Sequence, residues 1–153
     1  MKILIIEDQQ EKSNDIAGFF NEYFTEPPEM SIQQSLRSGL RDLVNHNNYD
    51  LIILDMSMPN FDPSPDDPIG GTPESFAGKE FLSQMELREL SSPVIVVTQY
   101  ATFSKGQITL DDLDQLFKRS HPDFYLGSVY YSSAGDTWKR SLGQLIKKME
   151  PHD

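Results

Sequence analysis

Three short, uninterrupted apolar runs limit most strongly what this chain can become. Residues 3–6, 51–54 and 93–97 are of strand length and do not alternate with polar residues, the pattern of parallel strands buried on both faces. A fourth run at 126–131 and a weaker one at 30–35 bring the expected strands to five. Between them the apolar period changes to that of helices. Ile16, Phe19, Phe20, Tyr23 and Phe24 form one stripe, and Leu36, Leu40, Leu43 and Val44 a second. Phe81, Leu82, Met85 and Leu90 form a third, Leu110, Leu113, Leu116 and Phe117 a fourth, and Trp138, Leu142, Leu145 and Ile146 the last. Thr109 is placed to cap the fourth helix ahead of Asp111 and Asp112, and Lys147 and Lys148 suit the negative end of the fifth.

A strict βα alternation implies right-handed crossovers and helices on both faces of one sheet. The expected fold is therefore α/β, a (βα)5 flavodoxin-like three-layer sandwich whose five-stranded parallel sheet has the order 2-1-3-4-5. With 153 residues the chain suits one domain, 1–153, and one segment interrupts its regularity. Residues 59–77 hold five of the ten prolines, as well as Asp62, Asp66, Asp67 and Glu74, and read as an insertion, either a lid or docking surface or a solvated loop.

Composition narrows the function classes. The formal charge of −11 argues against nucleic acid or an anionic membrane as a direct partner, since phosphate binding needs a basic face. The absence of cysteine removes disulfides, thiolate nucleophiles and cysteine-ligated metals together. Glu7 and Asp8 follow the first apolar run too closely for a signal peptide, and no run reaches the ~20 residues of a membrane span. A cytoplasmic location is expected. His46, His121 and His152 lack zinc-ligand spacing and read as surface residues.

Ligands in open α/β sheets bind outside the carboxyl ends of the strands. Glu7 and Asp8 end the first strand here, Asp55 the third and Thr98 the fourth. In the expected strand order these become neighbours, so three carboxylates and a hydroxyl share one pocket. Such a hard-oxygen set suits Mg2+. The glycines at 70 and 71 belong to no phosphate-binding glycine motif.

The segments IIEDQ, LIILDMSMP and PVIVVTQ, in that order, resemble the receiver domains of two-component response regulators. The resemblance spans the chain from Met1 to about Met149 and is most specific in LDMSMP, where Pro59 follows Asp55 by four residues. It implies that Asp55 accepts phosphate from a histidine kinase or other phosphodonor protein. It further implies that Asp8 binds Mg2+ directly, Glu7 acts largely through water, and Asp55 and the backbone carbonyl of Ser57 are further ligands. Thr98 would bond the phosphoryl group, and Tyr130 is a candidate for the aromatic switch. With no effector domain expected after the last helix, a separate downstream effector protein would read a surface change.

Two features depart from the family pattern. The lysine expected at the end of strand five is missing, and Tyr131, or else Ser132, stands in its place. A tyrosine brings no charge, which would cost a charge-assisted contact worth roughly 1.5–3 kcal/mol. Lys105 is a candidate substitute from the preceding loop. Gln99 and Tyr100 are bulkier than the small residue that usually follows Thr98. These departures define an alternative, a degenerate pseudo-receiver that binds its partner without phosphorylation. A hydrolase of the kind that carries an Asp-x-Asp pair, as certain phosphatases and nucleases do, is not matched because the third position is Ser57. No enzymatic activity is expected.

Overall fold

The structure is a computed structural model that describes residues 1–59, 62, 64–66, 76–103 and 106–149. The elements run β1 (Lys2–Ile6), α1 (Gln10–Tyr23), β2 (Glu29–Gln33), α2 (Leu36–Asn45), β3 (Leu51–Leu54) and α3 (Ala77–Leu87). They continue with β4 (Val94–Thr98), β5 (Thr102–Phe103), β6 (Ile108–Thr109), α4 (Leu110–Ser120), β7 (Tyr125–Tyr130) and α5 (Thr137–Met149). The main sheet has five parallel strands in the order β2-β1-β3-β4-β7. Counting only its own strands, this is the 2-1-3-4-5 order expected from the sequence.

Alternation along each strand divides the core into two layers. Leu4, Ile6, Ile52, Leu54, Val94 and Val96 face α2, α3 and α4, where they meet Leu43, Phe81, Leu82, Leu113 and Phe117. Ile3, Ile5, Ile53, Ile95 and Val97 face α1 and α5, where they meet Ile16, Phe20, Trp138, Leu142 and Ile146. Every residue of β3 and β4 is buried, which explains their continuous apolar runs. β2, at one edge, is only half-buried and leaves Ile32 exposed. That accounts for its weak signal.

Several boundaries differ from those that periodicity suggests. The second strand ends at Gln33 because Ser35 caps α2, accepting a hydrogen bond from the Ser38 N–H at 3.1 Å. Leu90 is buried but lies beyond α3. The helix closes with the Leu90 N–H on the Met85 carbonyl and the Glu89 N–H on the Glu86 carbonyl, a Schellman arrangement with Glu89 at φ 57°. Thr109 caps α4 as expected, and Asp112 returns a bond to its backbone. The long connection after β4 contains an unforeseen antiparallel pair, Thr102–Phe103 against Ile108–Thr109. His121 is a correction: it is buried, stacked on Phe124 and in contact with Glu86. Lys105, His152, the glycines at 70 and 71, Asp67 and Glu74 lie outside the described residues.

Away from the strand ends, Asp114 ties α4 to β7. It accepts from the Tyr125 hydroxyl at 2.6 Å and the Ser128 hydroxyl at 3.1 Å, and it pairs with Lys118 at 2.9 Å. Partial burial works to raise this carboxyl's pKa, but the three donors outweigh it and hold the group below its ordinary 3.8. A depressed folded-state pKa stabilises the fold above the ordinary value and loses that contribution as pH falls through the folded one. Asp114→Asn should therefore cost about 1–3 kcal/mol at neutral pH. Urea unfolding should show the gap between variant and parent narrowing toward pH 3.

Candidate functional site at the carboxyl ends of the strands

β1 and β3 are adjacent and in register, with Ile6 opposite Leu54. The residues that follow them therefore emerge side by side, and the Asp55 N–H donates to the Ile6 carbonyl at 3.1 Å. Glu7, Asp8 and Asp55 each place a carboxylate oxygen within 4.8 Å of the others, with Glu7 and Asp55 buried and Asp8 exposed. Behind Asp55, Gly78 at the start of α3 donates its N–H to the Met56 carbonyl at 3.1 Å. A side chain there would come within 2.8 Å of the Asp55 carbonyl oxygen, so only glycine lets the helix approach this closely.

The residue that sequence reading missed is Lys12. Its side chain is 1% exposed, and its ammonium lies 2.6 Å from Glu7 Oε2 and 3.2 Å from Asp55 Oδ1. It also donates to the Val97 carbonyl at 2.7 Å. Among the described residues, Glu7 Oε2 meets no donor besides this ammonium. Glu7 Oε1 accepts from the Gln9 N–H at 2.9 Å. A signal for Lys12 was present: it stands four residues before Ile16, in line with the buried stripe of α1.

The electrostatics follow from burial. Burial, then the neighbouring Asp55 charge, pushes the Glu7 carboxyl up to about 8, with Lys12 pulling the other way. Asp55 is also raised, again mainly by burial against the opposing pull of Lys12. Fully ionised, three carboxylates and one ammonium leave two net negative charges. That balance, with hard oxygens converging from two strand ends, fits one divalent ion of the magnesium class.

The remaining expected residues fall around this centre. Thr98 is completely buried at the end of β4, and its hydroxyl accepts from the Tyr100 N–H at 3.2 Å. Tyr130, opposite Thr98 in register, is 53% exposed. Tyr131 is buried. Its N–H donates to the Thr98 carbonyl, its hydroxyl donates to Asp15 on α1, and Lys12 lies 5.8 Å from its ring centre. Ser132 lines a cleft of about 300 Å³ together with Gln9, Lys12, Gln99 and Tyr130. Ser57 follows Asp55 by two residues and is half-buried. Gln99 Oε1 is buried without a hydrogen-bond partner.

No protein-family model matches the chain. It is 32% identical over 146 residues to the uncharacterised protein y4jR of Sinorhizobium fredii (strain NBRC 101917 / NGR234), covering 93% of this chain and 94% of that one. It is 28% identical over 151 residues to the Detocs response regulatory protein DtcB of Enterobacter cloacae (strain JD6301), covering 97% of this chain and all of that one, 100%. Among solved structures, the Mn(2+)-bound form of response regulator Rcp1 superposes with a TM-score of 0.64 at 19% identity, covering 99% of this chain and 96% of that one. The Francisella response regulator 1452 receiver domain gives 0.59 at 20% identity, covering 97% and 98%. The low identities of these structures speak to the fold, while the two sequence relatives span nearly the whole chain. The chain belongs to one family with y4jR, is similar over nearly its whole length to the response regulatory protein DtcB, and has the fold of response-regulator receiver domains.

Proposed function

We propose that this chain is a receiver in a phosphorelay, folding as one domain over 1–153 with an insertion at 59–77, which takes phosphate on Asp55 from a histidine kinase or other phosphodonor protein. The observation that carries the reading is the convergence of Glu7, Asp8 and Asp55 within 4.8 Å at the carboxyl ends of adjacent strands. Asp55 supplies the nucleophilic oxygen. Asp8, the exposed acid, would take Mg2+ directly. Glu7 would act through water, and Asp55 and the Ser57 carbonyl would complete the set. Bound there, the ion would neutralise charge on the phosphoryl oxygens. Thr98 supplies a hydroxyl that can turn toward the new anion, and Tyr130 stands at the same end of the sheet to register the change.

Output would pass to a separate effector protein through this surface. The acidity of the chain argues against nucleic acid as a partner. None of the described helices is long and apolar enough to cross a membrane, and we take the protein to act in the cytoplasm as a signalling module and not an enzyme. Asp55→Asn should bind the divalent ion more weakly and, even at saturating Mg2+, lose phosphate uptake from acetyl phosphate or a kinase, as read by phosphate-affinity electrophoresis. Uptake unchanged in that variant would contradict the assignment.

A second reading, the phosphorylation-independent binding module, is favoured by one observation. Asp55 is 2% exposed and already paired with Lys12. If signalling in cells is the same with Asp55→Asn as with the parent, this second reading holds.

A further inference from the structure

Lys12 is a cation where buried cations are rarely found, and it touches the group that would react. Lysine is almost never fully buried unless paired, and pairing two carboxylates with one ammonium leaves negative charge over. The ammonium meets Glu7, Asp55 and the Val97 carbonyl at 2.6, 3.2 and 2.7 Å. The Tyr131 ring lies against it and is itself tied to α1 through Asp15, so the lysine is held from both sides. Among the described residues no other ammonium or guanidinium pairs with Glu7, Asp8 or Asp55. Lys2, Lys118 and Lys139 pair elsewhere, with Glu29, Asp114 and Asp136.

We propose that Lys12, projecting from α1, is the phosphoryl-binding cation of this site, holding Asp55 Oδ1 at rest and bonding a phosphoryl oxygen after transfer. The inference rests on Asp55 being the phosphoacceptor. In the transfer a carboxylate oxygen of Asp55 forms a bond to phosphorus while the donor's P–N or P–O bond breaks. The leaving group departs with the bonding pair, and the ammonium keeps all its protons. The charge of the Asp55 carboxylate is thereby lost to the departing group, and the phosphoryl oxygens bring their own negative charge to the site, beyond the new O–P bond. A lysine side chain has the reach and rotational freedom to follow it while remaining near Glu7. The contact that a lysine after the last strand would make is supplied instead from a helix, and Tyr131 serves as its backing.

The test uses the full chain with saturating Mg2+ and acetyl phosphate, comparing the parent with Lys12→Met and Lys12→Arg. Lys12→Met should take up phosphate at least roughly tenfold more slowly, the loss of one charge-assisted hydrogen bond. Its Mg2+ affinity should be equal or tighter, because a neighbouring positive charge has gone. A purely structural role would weaken both together. Lys12→Arg, which keeps the charge on a forked group, should recover part of the uptake and alter the lifetime of the acyl phosphate. Parent-like uptake in folded Lys12→Met overturns the proposal and leaves Asp55 as phosphoacceptor. Should Lys12→Met fail to fold, Lys12→Arg decides, and parent-like rate and lifetime there overturn it. No uptake by the parent overturns this proposal and the reading of Asp55 together.

Discussion

Asp8→Ala is expected to weaken divalent-cation binding by at least about a hundredfold, since altering even an outer-shell partner of a metal site costs up to about that much. The reason lies in how differently the three acids are held. Glu7 and Asp55 are buried and share the ammonium of Lys12. Asp8 is exposed, and among the described residues no hydrogen bond or ion pair restrains its carboxylate. It is the acid free to give an oxygen to an incoming ion without breaking a bond. Removing it also relieves repulsion with Asp55, whose carboxyl the Asp8 charge helps to raise. The variant should therefore fold at least as well as its parent without metal, so that lost binding cannot be blamed on unfolding. Calorimetric titration with Mg2+ or Mn2+ reads the effect directly. A change of less than about tenfold would mean that the ion is held chiefly by other groups.

The largest stability effect should come from Phe81→Ala. Phe81 is fully buried in the layer beneath α3, together with Leu54, Met56 and Met58. Emptying a fully buried phenylalanine site costs about 3–5 kcal/mol through lost burial and the cavity left behind. For a chain of this size that corresponds to a fall in melting temperature of roughly 10 °C. Because Gly78, three residues earlier, packs on the backbone of Asp55 and Met56, slack in α3 should also reach the site. Thermal unfolding checks the first effect. Divalent-ion affinity measured well below the transition checks the second, and it should fall modestly even where the protein is fully folded.

The strands that carry the site were legible because burial on both faces leaves a continuous apolar signature, as in β3 and β4. Their ends were legible for the same reason: the first polar residue after such a run, Asp55 or Glu7, marks where the strand leaves the core. β2 was harder to delimit because an edge strand that is half-buried has weak patterning. The β5–β6 pair was missed because two-residue strands carry almost no periodicity, and their pairing of Phe103 with Ile108 shows only in space.

Lys12 was missed for a different reason. A lysine on a helix is normally solvated, and its place on the apolar stripe four residues before Ile16 becomes meaningful only when the acids facing it are known. Tyr131 was expected as the final residue of the last strand, whereas β7 ends at Tyr130 and Tyr131 follows it. Its bond to Asp15, 116 positions away in sequence, could be found only from the fold. Proximity along the chain therefore pointed to Lys105 as the compensating charge, whereas among the described residues the cation beside Asp55 is Lys12, which comes from α1. His121 shows the same limit, since the stack on Phe124 that buries it depends on a local turn.

The claim on which the rest depends is that Asp55 carries phosphate. The most direct measurement is the intact mass of the full chain after incubation with Mg2+ and acetyl phosphate and rapid acid quenching, followed by peptide mapping of the modified species. The expected result is the mass of one added phosphoryl group, mapped to the peptide containing Asp55, absent when the metal is chelated and absent in Asp55→Asn. An unmodified mass with Mg2+ demonstrably bound, or a phosphoryl group mapped to any other residue, would contradict it.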